Sequence, residues 1–246
     1  MKNLMNKTLI ILMIFCSKYS FSQDKVKLLN KGNEFYQNNE FEKSEYYYKK
    51  ALEKDNKYYK ANINIGHSLF KQAQSLIENG NDTIGIDKLK ESEAFYSNSI
   101  DLTKNKKEKA LSYYNLGNSQ LLSNQIDKSI ESYKNSLRNE PNNLEAKHNL
   151  ALAQSLQQQQ QNQQQNQQQN QQQNQQQNQQ QDNQEDEKKD NNPNTNDENS
   201  NNTKKENLSK EEINQILNAL KRQEQEVQKD LEKKKINGKN KPLKDW

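Results

Sequence analysis

The sequence predicts an all-α chain. It reads as a short solenoid of about three helix pairs plus a capping helix, followed by a disordered Gln/Asn-rich linker and an isolated C-terminal amphipathic helix. Three observations carry this. Asn30, Asn64, Asn115 and Asn149 each stand two residues before Gly32, Gly66, Gly117 and Ala151. Tyr48, Tyr96 and Tyr133 each stand three residues before a small-apolar pair: Ala51-Leu52, Ser99-Ile100 and Ser136-Leu137. Aliphatic and aromatic residues are concentrated before Leu156. With 29% hydrophobic residues overall and a mean hydropathy of -1.43, the rest cannot bury enough surface to offset its ordering entropy.

The chain opens on "MKNLMNKTLIILMIFCSKYSFSQDK". Lys2 and Lys7 form a basic start, Leu9 to Cys16 a short apolar run, and Ser20-Phe21-Ser22 a small-x-small site. This pattern predicts a secretory signal peptide over 1–22, cleaved after Ser22; an uncleaved anchor is the alternative. Bulky Phe15 argues against lipidation at Cys16. The mature chain then has no cysteine, so disulfides, thiolate nucleophiles and Cys-ligated zinc are excluded. The expected location is the periplasm or cell envelope.

Residues 24–156 carry the repeat. Gly32 and Gly66 are 34 residues apart, and each unit reads as two helices. A small residue in the first helix allows close approach, and an aromatic with an Ala/Ser-Leu pair forms one face of the second. Together these features resemble the tetratricopeptide repeat (TPR) family, with units at 25–58, 59–109 and 110–143 and a capping helix from Leu144 to about Leu156. Leu28, Asn62 and Tyr113 replace the family's tryptophan, and only the third unit keeps the closing proline, Pro141. Gly66 to Gly117 spans 51 residues, and the excess is expected as a loop in "SLIENGNDTIGID" (Ser75–Asp87) between two lengthened helices.

The TPR resemblance implies a groove, lined mainly by the first helix of each unit, that holds a partner peptide or helix. Its positions fall on Asn33 and Tyr36, then Ile63, His67 and Phe70, then Tyr114 and Asn118. Val26, Leu29, Gln37, Lys60, Lys71, Leu111, Leu121 and Leu122 occupy further groove positions. For Leu111, Leu121 and Leu122 the alternative is packing between repeats. The family's carboxylate clamp needs cations where this chain has Leu111 and Asn115, so binding of a terminal carboxylate is not expected. His67 and His148 are the only histidines and lack partners at metal-ligand spacing. Phosphate-loop, nucleophile-elbow and H-E-x-x-H patterns are missing from the sequence. No catalytic, cofactor or metal site is expected, and the chain is read as non-enzymatic.

Residues 157–207 form the linker. A Gln/Asn tract runs to Gln181, either disordered or helix-prone as an extension of the capping helix, with no apolar face to support it. Seven acids against two lysines follow between Asp182 and Glu198. An acidic spacer without interleaved aromatics does not suit nucleic acid.

Over 208–235 order is expected to return. Ser209 and Glu212 form a capping box, with Leu208 and Ile213 as its staple. Ile213, Ile216, Leu217, Leu220, Val227 and Leu231 share one face of a coiled-coil-like helix, a stripe that needs a surface to dock on. Its own groove, a second copy and a partner are all open. The basic tail, 236–246, ends in Asp245-Trp246 and suits either solvent or a weak contact with anionic lipid.

This layout, with "LNALKRQEQEVQKDLEKKK" and a terminal "KDW", resembles the BatC-type TPR proteins of the Bacteroides aerotolerance operon. The resemblance implies an envelope scaffold working with von Willebrand factor A domain membrane proteins and a MoxR-type AAA ATPase. The alternative is a structural or self-associating protein whose C-terminal helix oligomerises or autoinhibits the groove.

Overall fold

The computed structural model describes residues 24–185, 209–222 and Gln225. Among them every regular element is a helix: α1 (24–37), α2 (Phe41–Lys54), α3 (Tyr59–Glu78), α4 (Asp82–Asp101), α5 (Lys106–Leu122), α6 (Ile126–Asn139), α7 (Leu144–Glu185) and α8 (210–222). From α2 to α7 each helix packs on its neighbours in sequence, and α1 lies against α2 through Gly32 and Tyr48. The result is a TPR-like solenoid of three helix pairs closed by the start of α7.

The recurring glycine and tyrosine are one contact repeated three times. A methyl group at Gly32 would lie 2.4 Å from Tyr48 Cε1. At Gly66 and Gly117 it would lie 2.6 Å from Tyr96 and Tyr133. No Cβ tolerates that distance, so the ring of the second helix lies directly on the backbone of the first. Tyr48, Tyr96 and Tyr133 are accordingly all but inaccessible.

The turn between paired helices also repeats. Asn39, Gly80 and Asn124 each take a positive φ, of 60°, 79° and 59°. The next residue closes a helix-ending bond: Glu40 N donates to Phe35 O (2.9 Å), Asn81 N to Leu76 O (2.9 Å) and Gln125 N to Gln120 O (2.7 Å). Asparagine and glycine tolerate this left-handed step and terminate the helix there. The expected Ser75–Asp87 loop therefore shrinks to residues 79–81. The remainder of the insertion is helical, because α3 and α4 each run to 20 residues against 14 in α2. Gly85 is not a loop residue; it lies within α4, where an added Cβ would lie 2.5 Å from Ile77.

Much of the packing is polar. Serine hydroxyls meet across the helix interfaces at Ser44–Ser68 (2.6 Å), Ser92–Ser119 (2.8 Å) and Ser99–Ser112 (2.7 Å). Ser136 Oγ donates to Ala110 O at 2.8 Å. A hydroxyl fits where helices approach closely, and each one finds a partner. Apolar residues then gather in two clusters, one around Leu29, Tyr48 and Leu69, the other around Leu89, Leu121 and Tyr133.

Helix α7 runs on past Leu156 into the Gln/Asn tract, as far as Glu185. Gln157 Nε2 still reaches Asp127 Oδ1 (2.6 Å) and Gln160 Nε2 reaches Asn124 Oδ1 (3.1 Å). From Gln161 to Asn166 the side chains are exposed, as a segment without an apolar face requires. Residues 186–207 lie outside the described residues.

Replacing Gly117 with alanine tests the glycine–tyrosine contact. Overpacking costs about 1–3 kcal/mol, and a fully buried ring 2.6 Å away places this site at the upper end. Alanine's helix propensity returns about 1 kcal/mol. A net loss of about 1–2 kcal/mol is expected, read as a lower thermal midpoint by circular dichroism. Gly117→Ala with Tyr133→Ala should lose less than the two single changes added together.

Candidate partner-binding groove

Asparagines tie α1 to α3 and α5 to α7. Asn33 Oδ1 accepts from Tyr48 Oη (2.8 Å) and from Asn64 Nδ2 of the next pair (3.1 Å). Asn118 Oδ1 accepts from Tyr133 Oη (2.9 Å) and Asn149 Nδ2 (2.9 Å). Each rung joins three helices through one oxygen. Burial pushes the Tyr48 hydroxyl up to about 12 and raises the Tyr133 hydroxyl well above the ordinary phenol range, so both remain donors.

In the second pair this rung is missing. His67 stands where Asn33 and Asn118 stand in the other pairs. Asn115, the counterpart of Asn64 and Asn149, donates instead to Leu111 O of its own helix at 2.9 Å. The His67 ring packs against Tyr96 with centroids 5.6 Å apart. Burial, assisted by the Lys71 cation, pushes the His67 imidazole down to about 4, so it is neutral near pH 7.

Two cavities on this face border His67. A cavity of about 420 Å³ lies between Tyr36, His67, Phe70, Tyr114 and Asn118, with Gln74 and Leu220 on its wall. A second, of about 230 Å³, lies between Asn33, Tyr36, Asn64 and His67. Of the residues singled out from the sequence, Tyr36 and His67 border both cavities, Phe70, Tyr114 and Asn118 the larger, and Asn33 the smaller. Ile63 borders neither and is buried, 4% exposed. Leu121 and Leu122 pack inside the core, while Leu111 is 42% exposed and faces the larger cavity.

Asn33 and Asn118 thus serve the scaffold as well as the groove. Gln74 was not singled out from the sequence, although its place one turn beyond Phe70 on a lengthened helix was a usable signal. The larger cavity carries one cation and one anion on its wall, Lys71 and Glu145. No cluster of metal-ligating side chains occurs among the described residues, and none of their helices is long and apolar enough to cross a membrane.

Helix α8 lies on the same body. Its capping box is formed, with Ser209 N donating to Glu212 Oε2 (2.8 Å) and Glu212 N to Ser209 Oγ (3.2 Å). Ile216, Leu217 and Leu220 are buried in one cluster with Phe70, Ile77 and Leu156, and Ile213 packs against it partly buried. Lys221 Nζ pairs with Glu78 Oε1 at 2.8 Å. Val227, Leu231, the basic tail and the expected signal peptide lie outside the described residues.

No protein-family model and no curated protein matches the chain. Solved structures do. The first TPR of Spaghetti (RPAP3) bound to an HSP90 peptide is 18% identical with a TM-score of 0.47, over 55% of this chain and 94% of that one. The first TPR domain of human RPAP3 is 17% identical with a TM-score of 0.45, over 54% and 91%. The C-terminal TPR-containing domain of an FK506-binding protein from Plasmodium falciparum is 19% identical with a TM-score of 0.44, over 58% and 93%.

A single change tests the missing rung. Folding holds His67 near 4 against about 6.5 in the unfolded chain, so only the unfolded chain takes up a proton between those values. Stability is therefore full above about pH 6.5 and falls towards pH 4, by at most about 3 kcal/mol. His67→Asn should remove that acid-side loss. It should also add about 1 kcal/mol at pH 7 if the new amide accepts from Tyr96 and Asn115. Urea titrations at pH 5 and pH 7.5 read both effects.

Proposed function

We propose that the protein is a non-enzymatic interaction scaffold of the bacterial cell envelope, whose groove holds a peptide or helix of a partner protein. One observation carries this reading. The asparagine ladder is interrupted at His67, and an aromatic-walled cavity lies there on the face of the first helices. Its volume falls in the range of about 300–1,000 Å³ typical of binding pockets. Rings with a few fixed amides suit an apolar or amphipathic segment better than an ionic one.

The envelope location is supported by the basic and apolar start with its small-x-small site. The order of segments and the "KDW" ending support a BatC-type, aerotolerance-related role beside von Willebrand factor A domain membrane proteins. The tail's lysines and Trp246 support a weak membrane-surface contact as an accessory.

A second reading is favoured by the seat of α8. An amphipathic helix already lies against this body through Ile216, Leu217 and Leu220, so the chain carries its own competitor for the groove. In that case α8 autoinhibits until a partner displaces it, and self-association through the same stripe would require it to leave its seat.

Affinity capture of the mature protein from solubilised membranes of its host, with and without residues 208–246, tests both readings. Von Willebrand factor A domain proteins are expected in the eluate. Severalfold greater recovery without α8 supports autoinhibition, whereas unchanged recovery sinks it. Recovery of the protein alone overturns the scaffold and favours a structural homo-oligomer. Light scattering of the full chain that shows only monomer rules out that alternative.

A further inference from the structure

The chain leaves the solenoid and comes back to it. Ile216, Leu217 and Leu220 of α8 are buried in one cluster with Leu156 of α7, and Ile213 packs against it. Helix α7 nevertheless continues past Leu156 to Glu185. At 1.5 Å per residue, that continuation carries the chain about 44 Å beyond Leu156. Gln157 and Gln160 bond to the body, and from Gln161 to Asn166 the side chains are exposed. α8 then starts beside the body again, at the capping box of Ser209 and Glu212.

The return is longer than the joining chain favours. A random chain of the length between Glu185 and Ser209 averages about 27 Å end to end and reaches about 80 Å at full stretch. The seat of α8 is therefore within reach, yet beyond the average span. At 44 Å such a chain supplies α8 to its seat at an effective concentration of about 0.5 mM. With the tract a coil from Gln161 onward, the figure would be about 9 mM. The helical tract thus weakens the hold of α8 by more than about tenfold. Nothing apolar supports that helix, because Gln157 to Gln181 holds only glutamine and asparagine. Asparagine, the poorer helix former of the two, returns at every fourth position from Asn162 to Asn178. A helix of that kind stands near its own melting balance, and its length passes directly to α8.

We infer that the Gln/Asn tract is a strut that sets how firmly α8 occupies its seat: as a helix it holds the C-terminal segment away from the solenoid, and as a coil it lets α8 return. The inference rests on the autoinhibition reading above and specifies what regulates it. Occupancy of the seat then changes with the length and helicity of the tract, without any change in the residues of the seat itself.

The test needs no partner. Hydrogen exchange of the α8 amides in the full mature chain, read by ¹⁵N NMR, measures the seating directly. Undocking exposes Ile216, Leu217 and Leu220 together, so their protection is proportional to the effective concentration of α8. Deleting residues 163–178 removes four Gln-Gln-Gln-Asn units and with them about 24 Å of helix. Protection should then rise about twentyfold, whereas a tract that is already coil predicts a rise of about twofold. The double change Gln165→Pro and Gln173→Pro keeps the length of the chain and breaks the helix. It should raise protection about tenfold. A rise below about fivefold in either variant overturns the strut. So does protection that grows with protein concentration, since α8 would then sit on a second copy. Capture without residues 208–246 reads partner access while exchange reads the seat, so failure of autoinhibition and failure of the strut are recognised separately.

Discussion

Everything in this fold depends on a tyrosine ring lying flat against the backbone of the preceding helix. Three times the ring and a glycine meet at a distance that excludes any Cβ, which fixes how closely the two helices of a pair approach. The paired hydroxyls at 44–68, 92–119 and 99–112 lie at the other interfaces, where α2 meets α3 and α4 meets α5, so successive pairs are joined by polar contacts. The tyrosine hydroxyl then emerges on the far side of the first helix, where an asparagine receives it and passes the contact to the next pair. Packing within a unit and registry between units are thus set by the same side chain.

That registry makes the second unit distinctive. An asparagine oxygen there would offer the acceptor that a third rung needs. An imidazole does not accept the same pair of donors; Asn115 bonds within its own helix, and the larger cavity borders the ring. The insertion in the same unit lengthens α3 and α4 and brings Ile77 and Glu78 to where α8 is seated. His67, Phe70 and the residues that seat α8 consequently fall in the least regular repeat.

Much of this was legible in the sequence, and the reasons differ by element. Gly32, Gly66 and Gly117 with their tyrosines were visible because a steric requirement leaves few residue choices, so it repeats as text. The capping box at Ser209 was visible because its two residues are local. The loop expected at Ser75–Asp87 was too long because glycine was read as a loop marker, whereas Gly85 is required by contact with Ile77. Asn33 and Asn118 were read as groove residues, and their structural duty was hidden because both partners lie on other helices. Ile63 shared the groove spacing, yet it is buried. The place of Gln74 one turn beyond Phe70 was legible, but its unpaired amide nitrogen was not, since a missing hydrogen bond is a property of three-dimensional neighbours. The Gln/Asn tract showed composition but not conformation, and the structure continues α7 through it to Glu185.

The hydroxyl-and-amide packing also affects how the molecule responds to temperature. Unfolding raises heat capacity through exposed apolar surface, by about 0.45 cal/K/mol/Å², and lowers it through exposed polar surface, by about 0.26. An interior that interleaves Ser44, Ser92, Ser99, Asn62 and Asn149 with its aliphatic residues exposes both kinds at once, so the two contributions partly cancel. The stability curve of this solenoid is therefore shallow. Its marginal repeats are held about equally well across a broad span of temperatures, in place of one sharp optimum, and cold weakens them less than it would an oil-filled core.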